Sequence, residues 1–202
     1  MARENFTSPK GKAKWAKLNT PDEYEGKKTY KVQLILGKDS AEWASLKNLI
    51  DEQTDEAFES NKKQVKPQKL DEYKKHYPYE NEYEEGQPTG NVSVKFSMNA
   101  EFMRGEELVK MKPKLYDAQL KQIHDISIGN GSEIKISYCP YQYHNPSNNT
   151  AGVSLKMVAV QVINLVEYGG SAGFAKEEGY IAPTVAPEKP DVFTEAEGDM
   201  PF

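Results

Sequence analysis

The chain has 202 residues, 37% hydrophobic and 28% charged, with a net charge of −5 and a mean hydropathy of −0.78; this leaves room for one domain with a modest core and polar appendages. No apolar run approaches the roughly 20 residues of a membrane span and the N-terminus lacks the apolar stretch of a secretion signal, so a soluble, intracellular protein without membrane association is expected. Cys139 is the only cysteine, and His76, His124 and His144 share no ligand spacing, so an intrachain disulfide is excluded and no metal or other cofactor is expected.

Lys12 to Leu18 reads as a first strand, with Lys12, Lys14 and Ala16 on one face and Ala13, Trp15 and Lys17 on the other. After a turn region from Pro21 to Lys28, Thr29 to Leu36 alternates cleanly: Tyr30, Val32, Leu34 and Leu36 point one way, Lys31, Gln33 and Ile35 the other. A helix is expected to begin at Asp39, with Glu42 completing a capping-box variant. Trp43, Leu46, Leu49, Ile50, Ala57 and Phe58 recur at helical spacing as core contacts. Residues 61–90 carry no sustained period and read as a long connection, either a solvated loop or a flexible arm that contacts a ligand's backbone.

Four more strands are expected: Asn91 to Met98, with Val92, Val94, Phe96 and Met98 inward; about Leu108 to Lys112; Glu133 to Tyr143; and Val153 to Tyr168. Gly129-Asn130-Gly131 reads as a turn rather than a phosphate loop, because no helix follows it. In the last run the apolar parity changes between Met157 and Val158, as a bulge in a strand bending around a small barrel requires. Beyond Gly169-Gly170 the chain is rich in Pro and acids and can form no core, although Phe174, Tyr180 and Ile181 could pin part of it. The expected organisation is mainly β: a closed five-stranded barrel over 1–182 with one inserted helix, and a disordered acidic tail over 183–202.

Charge is segregated along this plan. Asp191, Glu195, Glu197 and Asp199 supply four of the five net negative charges, while Arg3, Lys10, Lys12, Lys14 and Lys17 face only Glu4 at the other end. The tail closes on Met200-Pro201-Phe202, a peptide whose ring suits a small apolar pocket while its carboxylates meet basic side chains.

The densest chemical signal is Lys135 to His144, where Tyr141 and Tyr143 share one face of a strand that also carries Lys135 and Tyr138. Rings at period two suit successive unstacked bases, each worth roughly 1–3 kcal/mol. Packing of the same rings on a neighbouring strand remains an equal alternative. Lys95, together with Lys110, Lys112 and Lys114 of one parity and Tyr116 beyond them, could follow phosphates or form an ordinary solvated face.

Phe6-Thr7-Ser8, Tyr30 to Leu34, Val94-Lys95-Phe96, Gly131 to Tyr138 followed by Pro140-Tyr141-Gln142-Tyr143, and Gly152 to Lys156 together resemble the single-stranded DNA-binding proteins of T-odd-type tailed phages. The resemblance implies an OB-fold barrel acting in phage replication, recombination and repair in the cytoplasm of an infected bacterial host. It also implies stacking by Tyr141 and Tyr143 and basic groove positions at Lys95 and Lys135, with Glu133 standing where relatives carry another lysine. The Met200-Pro201-Phe202 ending resembles that of bacterial single-stranded DNA-binding proteins, with Met for Ile, which implies recruitment of phage or host replication proteins.

The candidate DNA-binding set is Lys12, Lys14, Trp15, Lys31, Lys95, Lys110, Lys112, Lys114, Tyr116, Lys135, Tyr138, Tyr141 and Tyr143. The partner-binding set is Asp191, Glu195, Glu197, Asp199, Met200, Pro201 and Phe202. No Ser-His-Asp or Cys-His setting, metal-ligand carboxylate pair or phosphate-cradling loop supports an enzyme. The competing reading is a protein-interaction adaptor that uses the terminal peptide without touching DNA. Oligomeric state stays open, a homodimer included.

Overall fold

The computed structural model describes residues 4–167. The expected boundary at 182/183 and the acidic tail fall outside them, and the last strand, expected over Val153 to Tyr168, runs instead from Thr150 to Asn164. Among the described residues, twelve strands and one α-helix follow in chain order: β1 (Phe6–Thr7), β2 (Gly11–Tyr24), β3 (Lys27–Gly37), α1 (Ala41–Lys62), then β4 (Lys74–His76), β5 (Tyr79–Glu84) and β6 (Gln87–Asn99). The rest are β7 (Glu101–Arg104), β8 (Glu107–Lys110), β9 (Lys114–Tyr116), β10 (Gln122–Ile123), β11 (Glu133–Asn145) and β12 (Thr150–Asn164).

The antiparallel run β11–β2–β3–β6 continues through a parallel β6–β12 pairing, and β12 returns antiparallel to β11. The other edge of β12 is shared in succession by three parallel partners: β4 at 150–152, β6 at 155–156 and β9 at 159–161. Strand alternation fills one side of this sheet. Tyr30, Val32, Leu34 and Leu36 of β3 meet Val92, Val94, Phe96 and Met98 of β6, and Ile134, Ile136 and Tyr138 of β11 join them. Helix α1 adds Trp43, Leu46 and Ile50 to the same core from one stripe.

Among several register shifts, one in β2 and one in β12 redirect side chains near the lysine rows. In β2 the register passes from Lys14↔Gln33 to Lys17↔Lys31, so one extra residue is inserted; Trp15 takes a left-handed φ of 53°, and the buried positions move from Ala13 to Leu18. In β12 Val158 is the extra residue between Met157↔Tyr138 and Ala159↔Ser137, where the apolar parity changes.

Several local expectations are corrected. The first strand runs on through Pro21, and the turn is only Glu25-Gly26, with φ values of 49° and 74°; a two-residue loop with both residues left-handed matches the twist of the strands it joins. The helix cap is Ser40, whose Oγ accepts from Trp43 N at 3.1 Å, one residue later than Asp39. Residues 61–90 are no plain connection. They hold a 3-10 turn (Pro67–Lys69), β4, and a β5–β6 hairpin closed at Glu85-Gly86. Tyr79 of β5 stacks edge-on against Trp43 at 5.0 Å and Tyr73 lies flat on Phe58 at 4.4 Å, contacts that anchor the segment over α1. The strand expected over Leu108 to Lys112 is instead β8, paired with β7 in a separate two-stranded sheet and ending at Lys110.

Candidate nucleic-acid interface

Residues paired across strands share a face, so the register assigns the outward side chains to rows. On β11 and its neighbours these rows read Lys135–Gln161–Tyr116–Gln122, then Thr7–Ser137–Ala159–Lys114, then Cys139–Lys156–Ser97–Lys31–Lys17. Tyr141–Ser154 and Tyr143–Gly152–His76 follow. Lys135, Lys114, Tyr116, Lys31, Tyr141 and Tyr143 thus stand on the side of the sheet away from the core. On β2, β3 and β6 the row Lys14–Gln33–Lys95 has the same outward sense, as does Lys12 beside Glu133 and Ile35.

The two tyrosines differ. Tyr141 is 43% exposed. Tyr143 is partly buried and its hydroxyl shares a 2.6 Å hydrogen bond with His76 Nδ1, while burial pushes its phenol up. Gly152 makes that contact possible, because a Cβ there would lie 2.1 Å from the His76 carbonyl oxygen.

Ion pairs divide the lysines. Lys14 Nζ meets Glu82 Oε1 at 2.7 Å, Lys95 Nζ meets Glu80 Oε1 at 2.8 Å, Lys31 pairs with Asp22 and Lys112 with Asp125 at 3.6 Å. The Lys31 hydrogen bond holds the Asp22 carboxyl below its usual range. Burial alone would raise Glu82, but hydrogen bonds from Lys14, Asn91 and Thr89 outweigh it and keep its carboxyl low. The acids that cover Lys14 and Lys95 both come from β5. Their composition reads as a loop, and no local spacing links them to lysines 68 and 15 positions away. Among the described residues, Lys114 and Lys135 face no carboxylate within ion-pair distance.

Tyr138, Lys110 and Lys112 do not join this face. Tyr138 is 2% exposed between Phe6 and Phe96, with ring separations of 6.0 and 5.2 Å, and burial pushes its phenol up to about 12. It is a core residue and cannot meet a base. Lys110 lies on the β7–β8 hairpin and Lys112 on the link after it, so the two do not continue the line of Lys114 along one strand. Trp15 is 61% exposed, its backbone N–H donates to Asn130 Oδ1 at 2.9 Å, and it lines a cavity of about 790 Å³ with Lys14 and Gln33 of the outward row and with Lys38, Lys47 and Tyr83. The described residues hold no cluster of three metal-ligating side chains. None of their helices is long and apolar enough to cross a membrane.

Residues 9–166 match the family described as single-stranded DNA-binding protein, bacteriophage T7. The chain belongs to this family. It is similar to the crystal structure of gp2.5, a single-stranded DNA-binding protein encoded by bacteriophage T7, at 25% identity and a TM-score of 0.71, over 90% of this chain and 100% of that one. Two structures of the single-stranded DNA-binding protein from bacteriophage Enc34 share the fold: one at 13% identity and TM-score 0.53 over 83% of this chain and 85% of that chain. The other, in complex with ssDNA, matches at 14% and 0.54 over 82% and 89%. No curated protein matches the sequence at a significant level. Membership in a family named for binding agrees with the lack of a catalytic constellation in the sequence.

Proposed function

We propose that this protein binds single-stranded DNA without catalysing a reaction, and that it coats and protects strands opened during phage replication, recombination and repair in the host cytoplasm. Family membership over most of the chain supports the ligand class. The pairing cycle β11–β2–β3–β6–β12 and back to β11 supports a closed five-stranded OB-type barrel, an architecture whose outer face suits oligonucleotides.

The observation that carries the residue assignment is the coincidence, on one outward face, of carboxylate-free lysines and an exposed ring. Lys114 and Lys135 hold phosphates as point charges, and Tyr141 stacks a base. Tyr143, its hydroxyl fixed by His76, flanks it on the same face of β11. Tyr116 closes the other end of the strip. Lys14, Lys31 and Lys95 contribute less, since a phosphate must first displace Glu82, Asp22 or Glu80.

The tail acts as an internal competitor. Its acids screen the lysines when DNA is absent, and DNA releases Phe202 and its neighbours to phage or host replication proteins. The deciding experiment titrates tyrosine fluorescence with oligo-dT and with duplex, at two salt concentrations, on the full chain and on a chain lacking residues 190–202. Quenching by oligo-dT that weakens with salt, and tighter binding after truncation, are the expected results. An adaptor shows no quenching, and unchanged or weaker binding after truncation removes the competitor role.

A further inference from the structure

We propose that Lys156 is the central phosphate anchor of the interface, an assignment that rests on the single-stranded DNA-binding reading above. Lys156 stands in the middle of β12, facing Cys139 of β11 on one side and Ser97 of β6 on the other. Beyond Ser97 the same row reaches Lys31, two strands and roughly 10 Å away. Along β12 the adjacent outward positions are Ser154, which faces Tyr141, and Ala159, which faces Lys114 and Ser137 past the Val158 bulge. Lys156 therefore lies between the exposed ring and the Lys114 and Lys135 rows, where a strand running from one to the other must cross.

Its surroundings lack a counter-charge. The side chains in register with it are a thiol and a hydroxyl, and among the described residues it makes no hydrogen bond or ion pair. Lys95 on the adjacent β6, and Lys31 and Lys14 on β3 and β2 beyond it, each hold a carboxylate. Lys156 is also partly buried, and that burial lowers its ammonium below the usual lysine range. A desolvated cation without a partner costs folding free energy. A phosphate oxygen placed over it supplies the missing charge and recovers part of that cost on binding. The competing structural role, an aliphatic stem that covers the sheet with its head in water, carries no such unmet charge.

The two roles separate when stability and binding are measured together on the full chain. Lys156→Met keeps the stem and removes the charge; Lys156→Arg keeps the charge. The expected result for Lys156→Met is a melting temperature at or above that of the original chain, about tenfold weaker oligo-dT binding, and a salt slope shallower by about 0.7. Lys156→Arg recovers the slope. A Lys156→Met protein that unfolds more easily, or one that binds with unchanged affinity and slope, overturns the assignment. An original chain that fails to bind oligo-dT overturns the underlying reading instead, so the two failures are distinct.

Discussion

Replacing Lys135 with Met tests the proposed charge inventory directly. Lys135 lies on an outward row of β11, with no carboxylate in ion-pair range among the described residues, so Met should leave the strand intact while deleting one cation. Each phosphate contact on a single strand contributes roughly −0.7 to the slope of log K against log salt. If Lys114, Lys135 and Lys156 make the contacts, the original chain should show about −2.1, and affinity should fall about 18-fold between about 50 and 200 mM salt. Lys135→Met should show about −1.4, and a fall of about 7-fold over the same interval. Fluorescence titration at four or more salt concentrations measures both slopes, and thermal unfolding checks that the variant is folded. Equal slopes for the two proteins would refute the contact. A starting slope steeper than about −4 would mean that roughly six lysines act, so that the β5 carboxylates do not withhold Lys14 and Lys95.

Tyr138→Ala should destabilise the fold by about 3–5 kcal/mol, because it empties a core site between Phe6 and Phe96, whereas Tyr141→Ala at a 43% exposed position should destabilise it less and weaken oligo-dT binding by about 1–3 kcal/mol; reversed effects would exchange their roles. Glu80→Gln should strengthen single-strand binding by releasing Lys95 from an exposed pair, which the same titration reads. The low Glu82 carboxyl contributes stability that is present above its unfolded pKa and lost as pH falls through the folded value, so acid unfolding of Glu82→Gln should be less pH-dependent in that range. Gly152→Ala should detach β4, because the new methyl group overlaps the His76 carbonyl, and faster amide exchange over residues 74–76 together with loss of the Tyr143–His76 bond would show it.

The strands with one buried and one wet face were readable from their residues. Tyr30 to Leu36 and Val92 to Met98 alternate without interruption, and their apolar members are the ones that meet in the core. The parity change after Met157 marked the β12 bulge for the same reason. By contrast, β5 lies at an edge, and its Glu80, Glu82 and Glu84 resemble loop residues in composition. Its signal was the alternation of Tyr79, Asn81 and Tyr83 with those acids, ahead of Glu85-Gly86. Tyr138 could also have been placed by parity, since it falls in step with the buried Ile134 and Ile136 rather than with Tyr141. The ion pairs could not have been found this way. Glu82 reaches Lys14 only because β2, β3, β6 and β5 are neighbours in space, and no pattern within either segment records that.

The last described strand is also the one on which the others converge: β4, β6 and β9 all line up along a single edge of β12, and β11 covers the opposite edge. A chain emerging from the ribosome cannot complete any of these four pairings until residues 150–164 have been made, and parallel partners distant in sequence are slow to find one another. A nascent fragment that ends before that point therefore holds β11 only by its short pairings with β1 and β2, and the cycle of pairings through β12 stays open. Truncated translation products should then be inert toward DNA strands rather than weak competitors for them.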